Sequence, residues 1–162
     1  MSRPASKGEP TKPSNAERLV PYPDRDSAPW WAAVARHELV HQRCDDCGTW
    51  RWPPRAMCSG CGSFACSWQP VSGLGTVISC IRTHHAFLPG FEAPYFTVFV
   101  SIDEQADIVM PGTWHHATPP QVGMAVRVFY DDIAVPDGDA VTLVGWLPAH
   151  DSSTLAEHVQ NS

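Results

Sequence analysis

Four cysteines carry the clearest chemistry in this 162-residue sequence. They stand as Cys44-Asp45-Asp46-Cys47-Gly48 and Cys58-Ser59-Gly60-Cys61-Gly62, with ten residues between the pairs. Two residues between thiols let both sulfurs of one turn reach a single ion, and a glycine after the second thiol takes the positive φ that the turn needs. The spacing is that of a zinc ribbon, in which Cys44, Cys47, Cys58 and Cys61 hold one structural zinc. Iron in the same four thiolates would make a rubredoxin-like electron carrier, and a single C-x2-C pair would suit a redox dithiol. Two matched pairs with trailing glycines favour one ion over two disulfides. With four thiolates bound no position is left for water, so this metal is not expected to catalyse. Arg43, Arg51 and Arg55 lie close by as counter-charges for the anionic centre. Cys66 and Cys80 fall outside the pairs and read as small buried hydrophobes.

Little else in the chain has catalytic spacing. His84-His85 and His115-His116 are adjacent pairs, and neighbours on a strand face opposite ways, so they read as surface or packing histidines. The sequence holds no G-x-S-x-G, H-E-x-x-H or G-x-G-x-x-G. Both lysines, Lys7 and Lys12, precede Pro13, so arginine is the only fixed cation thereafter and Schiff-base or P-loop chemistry has no candidate. Surplus apolar groups are more informative. Trp30 and Trp31 are adjacent and would project ~100° apart on a helix, which leaves one of them for a partner surface. The stretch from Thr83 to Pro94 reads as a loop that offers His84, Phe87, Leu88 and Phe91 to a ligand or partner.

These residues need a frame. Residues 1–28 are rich in proline and serine and read as a disordered arm. Ser27 and Pro29 predict a helix start, with Ser27 as the capping side chain and the helix running to about Glu38. A short strand over Leu39–Arg43 leads into the cysteines, so residues 29–66 form a helix-plus-ribbon unit. Strands are then expected at Ser67–Val71, Gly75–Thr83, Tyr95–Ile102, Asp107–Met110, Ala125–Tyr130 and Val141–Leu147, separated by Gly, Pro and Asp. They predict a small barrel over 67–148, followed by a polar tail over 149–162. The fold class is mainly β, and sixteen prolines with eleven glycines argue against a helical bundle.

Net charge is −6, which disfavours a polyanion partner, because non-specific nucleic-acid affinity comes mostly from phosphate neutralisation. No apolar run reaches the ~18 residues of a membrane span, and the N-terminus lacks the apolar core of an export signal. A soluble, cytoplasmic protein with reduced thiols is the expectation.

The order of helix, ribbon and barrel resembles a known family. The residues that carry the resemblance are Pro29-Trp30-Trp31, Gln42-Arg43-Cys44-Asp45-Asp46-Cys47-Gly48, Trp52-Pro53-Pro54-Arg55-Ala56-Met57-Cys58, Val71-Ser72-Gly73-Leu74-Gly75-Thr76-Val77 and Pro89-Gly90-Phe91-Glu92-Ala93-Pro94-Tyr95. The sequence is similar to the zinc-ribbon plus OB-fold family called domain of unknown function 35, over about residues 29 to 148. The resemblance implies a rubredoxin-like zinc ribbon followed by an OB-fold barrel. It implies a non-catalytic accessory subunit of a thiolase, an acyltransferase or a lipid-transfer-protein-like retro-aldolase, with hydratases of the MaoC type as further associates. The partner would carry the chemistry on an acyl-CoA, and this chain would border the CoA. With lysines absent, Arg51 or Arg55 is the cation expected toward CoA phosphates. Two other readings of the residues are a nucleic-acid-binding ribbon and barrel, and a free-standing acyl-CoA enzyme using His84 or His85 as base.

Overall fold

The computed structural model describes residues 20–86, 93–135 and 140–150. The expected interface residues Phe87, Leu88 and Phe91 lie outside these, as do residues 1–19 of the arm and 151–162 of the tail.

One short helix, α1 (Ala28–Val34), precedes eight strands: β1 (Val40–Cys44), β2 (Trp50–Arg51), β3 (Cys66–Pro70), β4 (Leu74–Thr83), β5 (Tyr95–Ile102), β6 (Gln105–Trp114), β7 (Ala125–Ile133) and β8 (Val141–Pro148). The fold is thus mainly β, as the turn-rich composition predicts. Strands β2-β1-β3 form a three-stranded sheet, and β4-β5-β6-β8-β7 close into a five-stranded barrel. No helix among the described residues is long and apolar enough to cross a membrane.

The helix differs from its sequence reading at both ends. Ser27 makes no side-chain cap bond; its N–H donates to Asp24 Oδ1 (2.7 Å), and its hydroxyl accepts from the Asp24 N–H (3.1 Å). Serine and aspartate thus satisfy each other in the turn before the helix. The C-terminus falls at Val34, not near Glu38. Glu38 N–H bonds back to Ala33 and His37 N–H to Val34, the paired closure in which the residue between takes a left-handed conformation. That residue is His37, with φ 59°. Its ring stacks on Tyr130 and bonds Asp132 (3.0 Å), which also accepts from the Thr142 hydroxyl (2.7 Å), so the helix end is tied to β7.

The strand expected from Ser67, counted with the barrel, is instead a partner of β1, running from Val40↔Pro70 to Cys44↔Cys66. Two-residue β2 is too short to show period-two alternation and went unread. Strand β6 is longer than expected because it continues through Pro111. A proline is tolerated there because β8 joins β6 only later, at Thr113↔Gly145 and Trp114↔Trp146.

One apolar core runs through all three parts. Trp30, Val34 and Leu39 pack onto Val77, Val98, Val100, Ile102, Ile108, Met110, Val126 and Trp146 of the barrel. Gly112 makes room for Trp146: a Cβ there would lie 2.7 Å from Trp146 Cδ1 and 3.1 Å from the Val144 carbonyl. Because that indole is fully buried it cannot swing away. Gly112→Ala is therefore expected to cost about 1–3 kcal/mol by overpacking. A denaturant midpoint equal to that of the parent protein would show that the barrel accommodates the methyl.

Candidate metal centre and adjoining clefts

The two cysteine turns are built alike. Cys44 N–H donates to the Thr49 carbonyl and Gly48 N–H to Cys44; fourteen residues later Cys58 N–H donates to Ser63 and Gly62 N–H to Cys58, all at 2.8–2.9 Å. Gly48 and Gly62 have φ of 74° and 76°, the left-handed conformation expected of them. Strand β1 delivers Cys44 and the loop after β2 delivers Cys58, so the turns face each other across the ribbon.

Their four sulfurs all lie within 4.8 Å of one another. Cys44 to Cys61 and Cys47 to Cys58 are each 3.6 Å. Tetrahedral Zn–S bonds of ~2.3 Å place sulfurs ~3.8 Å apart, so the donor set fits one ion. The thiol chemistry agrees. Cys47 is pulled down to about 6, by the Thr49 hydroxyl first and the Thr49 N–H second. Backbone N–H groups of Cys61 and Gly60 hold Cys58 below its ordinary range. At Cys61 the Ser63 N–H pulls downward, but the surrounding sulfurs outweigh it and push that thiol up to about 12. Four thiols this close ionise together only around a cation. The residues suit a structural zinc that pins β1 to the turn after β2. Cys66 and Cys80 are outside the cluster and half-buried.

The expected arginines separate. Arg43 lies over the Trp50 ring (5.5 Å to its centroid), with Nε donating to the Gly48 carbonyl. Arg51 is buried and Arg55 exposed, and both line a cleft of about 310 Å³ with Trp50, Trp52, Ser59 and Asp107.

A second cleft, about 360 Å³ and largely apolar, opens where β6 and β8 diverge; Met110, Pro111, Leu143 and Val144 form its floor, and Trp30, Trp31 and Trp52 its cover. The adjacent tryptophans divide as a helix requires. Trp30 is buried and meets Trp31 edge to face, with centroids 4.7 Å apart, while Trp31 remains half-buried. His84 is exposed just beyond β4. Sequence reasoning passed over His41, which is fully buried on β1 beside Trp52, and Gln42, whose Oε1 accepts the Arg55 N–H (2.9 Å). A histidine and a glutamine adjacent on a five-residue strand, both buried, break the in–out alternation that would have signalled their depth.

Comparison with known proteins follows the same lines. The family model of the ChsH2 rubredoxin-like zinc ribbon domain matches residues 31–65. A probable enoyl-CoA hydratase alpha subunit of Thermomonospora curvata is 37% identical over 107 residues, which is 66% of this chain and 34% of that protein. The 3-oxo-4,17-pregnadiene-20-carboxyl-CoA hydratase alpha subunit of Mycobacterium tuberculosis is 34% identical over 132 residues, or 80% of this chain and 40% of that protein. The chain therefore spans two fifths or less of the curated relatives it matches. A solved chain of an Ltp2-ChsH2(DUF35) aldolase superposes with a TM-score of 0.72 at 33% identity, covering 80% of this chain and 99% of that one. A DUF35 protein of unknown function from Sulfolobus solfataricus shares the fold at 11% identity, with a TM-score of 0.51 over 64% of this chain and 77% of its own.

Proposed function

Because this chain belongs to the DUF35 family of ChsH2-type zinc-ribbon proteins, we propose that it is the non-catalytic accessory subunit of a lipid-transfer-protein-like or other thiolase-superfamily enzyme acting on an acyl-CoA. The observation that carries this reading is the match to nearly the whole length of the DUF35 chain of an aldolase named for two components. A closed metal site suits such a role, since it organises the ribbon and leaves no position for a substrate. The half-buried Trp31 is an aromatic anchor of the kind interfaces concentrate, and His84, Phe87, Leu88 and Phe91 are proposed on their sequence as further partner contacts. A helix-plus-ribbon unit that extends through β3 to Pro70, followed by an OB-type barrel from β4 to β8, fits this division of labour, and the barrel's strand order supports the OB reading. In the assembly the partner's acyl-CoA borders this chain.

A hydratase of the MaoC type is the second partner class, favoured by two relatives named as hydratase alpha subunits. Co-expression with a thiolase-like aldolase chain, and separately with a hydratase chain, tests both. One of them is expected to co-purify and to turn over an acyl-CoA only in the complex. Separate migration of all chains at micromolar concentration, or turnover by this chain alone, would refute the subunit reading.

A further inference from the structure

A fifth thiol, Cys66, stands at the edge of the metal centre, directly across the ladder from Cys44. The hydrogen bonds around this pair show what kind of position it is. The Cys44 N–H and carbonyl both turn toward the β2 side, where they bond Thr49 and Gly48. The next residue, Asp45, donates its N–H to the Ala65 carbonyl (3.2 Å) on the β3 side. Cys44 and Cys66 are therefore a non-hydrogen-bonded pair, the narrow position of an antiparallel ladder, where Cα atoms lie ~4.5 Å apart and the two side chains share one face. A disulfide accepts Cα separations of roughly 4.4–6.8 Å, so this backbone can be bridged without parting or closing the strands. Each sulfur hangs on one rotatable bond, and closing the bridge asks for side-chain rotation alone.

The two thiols differ in access. Gln42 and Trp68, the neighbouring pair on the same face, line a cleft of about 250 Å³ together with Cys66, Phe64 and Arg55. Cys66 is half-buried at this cleft, whereas Cys44 is 2% exposed. A small oxidant entering the cleft meets Cys66, with Cys44 behind it. Cys66 is also outside the four-sulfur cluster, so its thiol is not committed to the ion.

We propose that Cys44 and Cys66 are a redox-responsive pair: an oxidant of the peroxide class joins them in a disulfide, which withdraws Cys44 from the metal and opens the ribbon. The Cys66 thiolate attacks the peroxide O–O bond, which breaks to give a sulfenic acid and, with one proton from solvent, a water. The Cys44 sulfur then attacks the sulfenic sulfur, forming the S–S bond and expelling the oxygen, with a second proton, as a second water. Two sulfurs lose one electron each and the peroxide gains both. Cys47, Cys58 and Cys61 remain, one short of a closed tetrahedral set. The bridge keeps β1 on β3 but frees the turn after β2, and because Trp52 packs on Trp30 at 4.8 Å the change reaches α1. The inference rests on the metal centre and not on the function proposed above.

The test treats the full zinc-loaded chain with hydrogen peroxide and follows zinc with a chromogenic chelator and disulfides by mass-spectrometric mapping. Zinc should be released, two of the six thiols lost and Cys44 found linked to Cys66, all reversed by dithiothreitol and added zinc. Cys66→Ala should hold zinc before treatment and release it roughly tenfold or more slowly during it, while Cys80→Ala should follow the parent. Cys66→Ser replaces the alanine variant if that one loses zinc untreated, and mapping on the parent protein needs no variant. Cross-links confined to Cys44, Cys47, Cys58 and Cys61 would overturn the proposal. So would retention of zinc throughout, oxidation of Cys66 without a link to Cys44, or equal release from the parent and Cys66→Ala. None of these failures touches assembly with an aldolase or hydratase chain, which co-purification reads separately.

Discussion

Replacing Cys44 or Cys58 by Ser, or stripping the metal with a strong chelator, is expected to abolish the β2-β1-β3 sheet. Strands of five, two and five residues cannot hold themselves together. In so small a unit metal binding and folding are one equilibrium, and a structural zinc supplies on the order of 10 kcal/mol or more at neutral pH. The effect should reach the aromatic residues, because Trp52 of the ribbon packs on Trp30 of the helix at 4.8 Å. Elemental analysis should find one zinc per chain in the parent protein, and near-ultraviolet circular dichroism should lose its tryptophan signal as the metal leaves. Cys66→Ala and Cys80→Ala should retain the full metal content. The first is the sharper control, since Cys66 lies directly across the ladder from Cys44 yet stands outside the sulfur cluster. A metal-free parent protein with an intact tryptophan signal would contradict this account.

The second large effect is a pH dependence set by His41. Its ring is 0% exposed, and neither nitrogen has a hydrogen-bond partner. Burial pushes its pKa down to about 4 from an ordinary 6.5, opposed only weakly by the Glu104 charge. Between those values the unfolded chain takes up a proton that the folded one refuses, so stability falls as the pH drops through this window. It is complete above 6.5. A depression of this size corresponds to about 3 kcal/mol. Thiolate protonation at the metal centre also weakens the fold in acid, so the reading comes from a difference. His41→Leu removes the titrating group and its two unpaired nitrogens, and should be more stable than the parent at pH 7 and by a wider margin at pH 5. Denaturant midpoints at both values, with zinc content monitored, provide the check. An equal margin at the two pH values would assign the whole acid sensitivity to the thiolates.

The metal ligands were legible because their chemistry dictates spacing: two residues between thiols and a glycine after each pair have few other uses. Barrel strands such as Tyr95–Ile102 were legible from apolar runs between turn residues. Features that depend on distant segments were not. His37 ends the helix early in a conformation usually left to glycine, and is held there by Asp132 and Tyr130, almost a hundred residues away. The change of allegiance of β3 from barrel to ribbon rests on pairing with β1, which no local pattern encodes. Arg51 and Arg55 looked alike in sequence, and only tertiary burial distinguishes them.

The parallel junction between β6 and β8 has only two paired positions, whereas β7 and β8 share eight. A closed sheet opens where the fewest hydrogen bonds must break, so the excursion of lowest free energy in this barrel is the parting of β6 from β8. Amide hydrogen exchange should reflect this. Protection should be deepest along β7–β8 and the β4–β5 hairpin, and shallowest at the junction. The apolar cleft under Trp30 and Trp31 begins where the two strands separate, so each such opening deepens the cleft. The tryptophans of α1 thus act as a patch over the thinnest part of the barrel wall, and anything bound beneath them would slow exchange at Thr113, Trp114, Gly145 and Trp146 before it slowed exchange elsewhere.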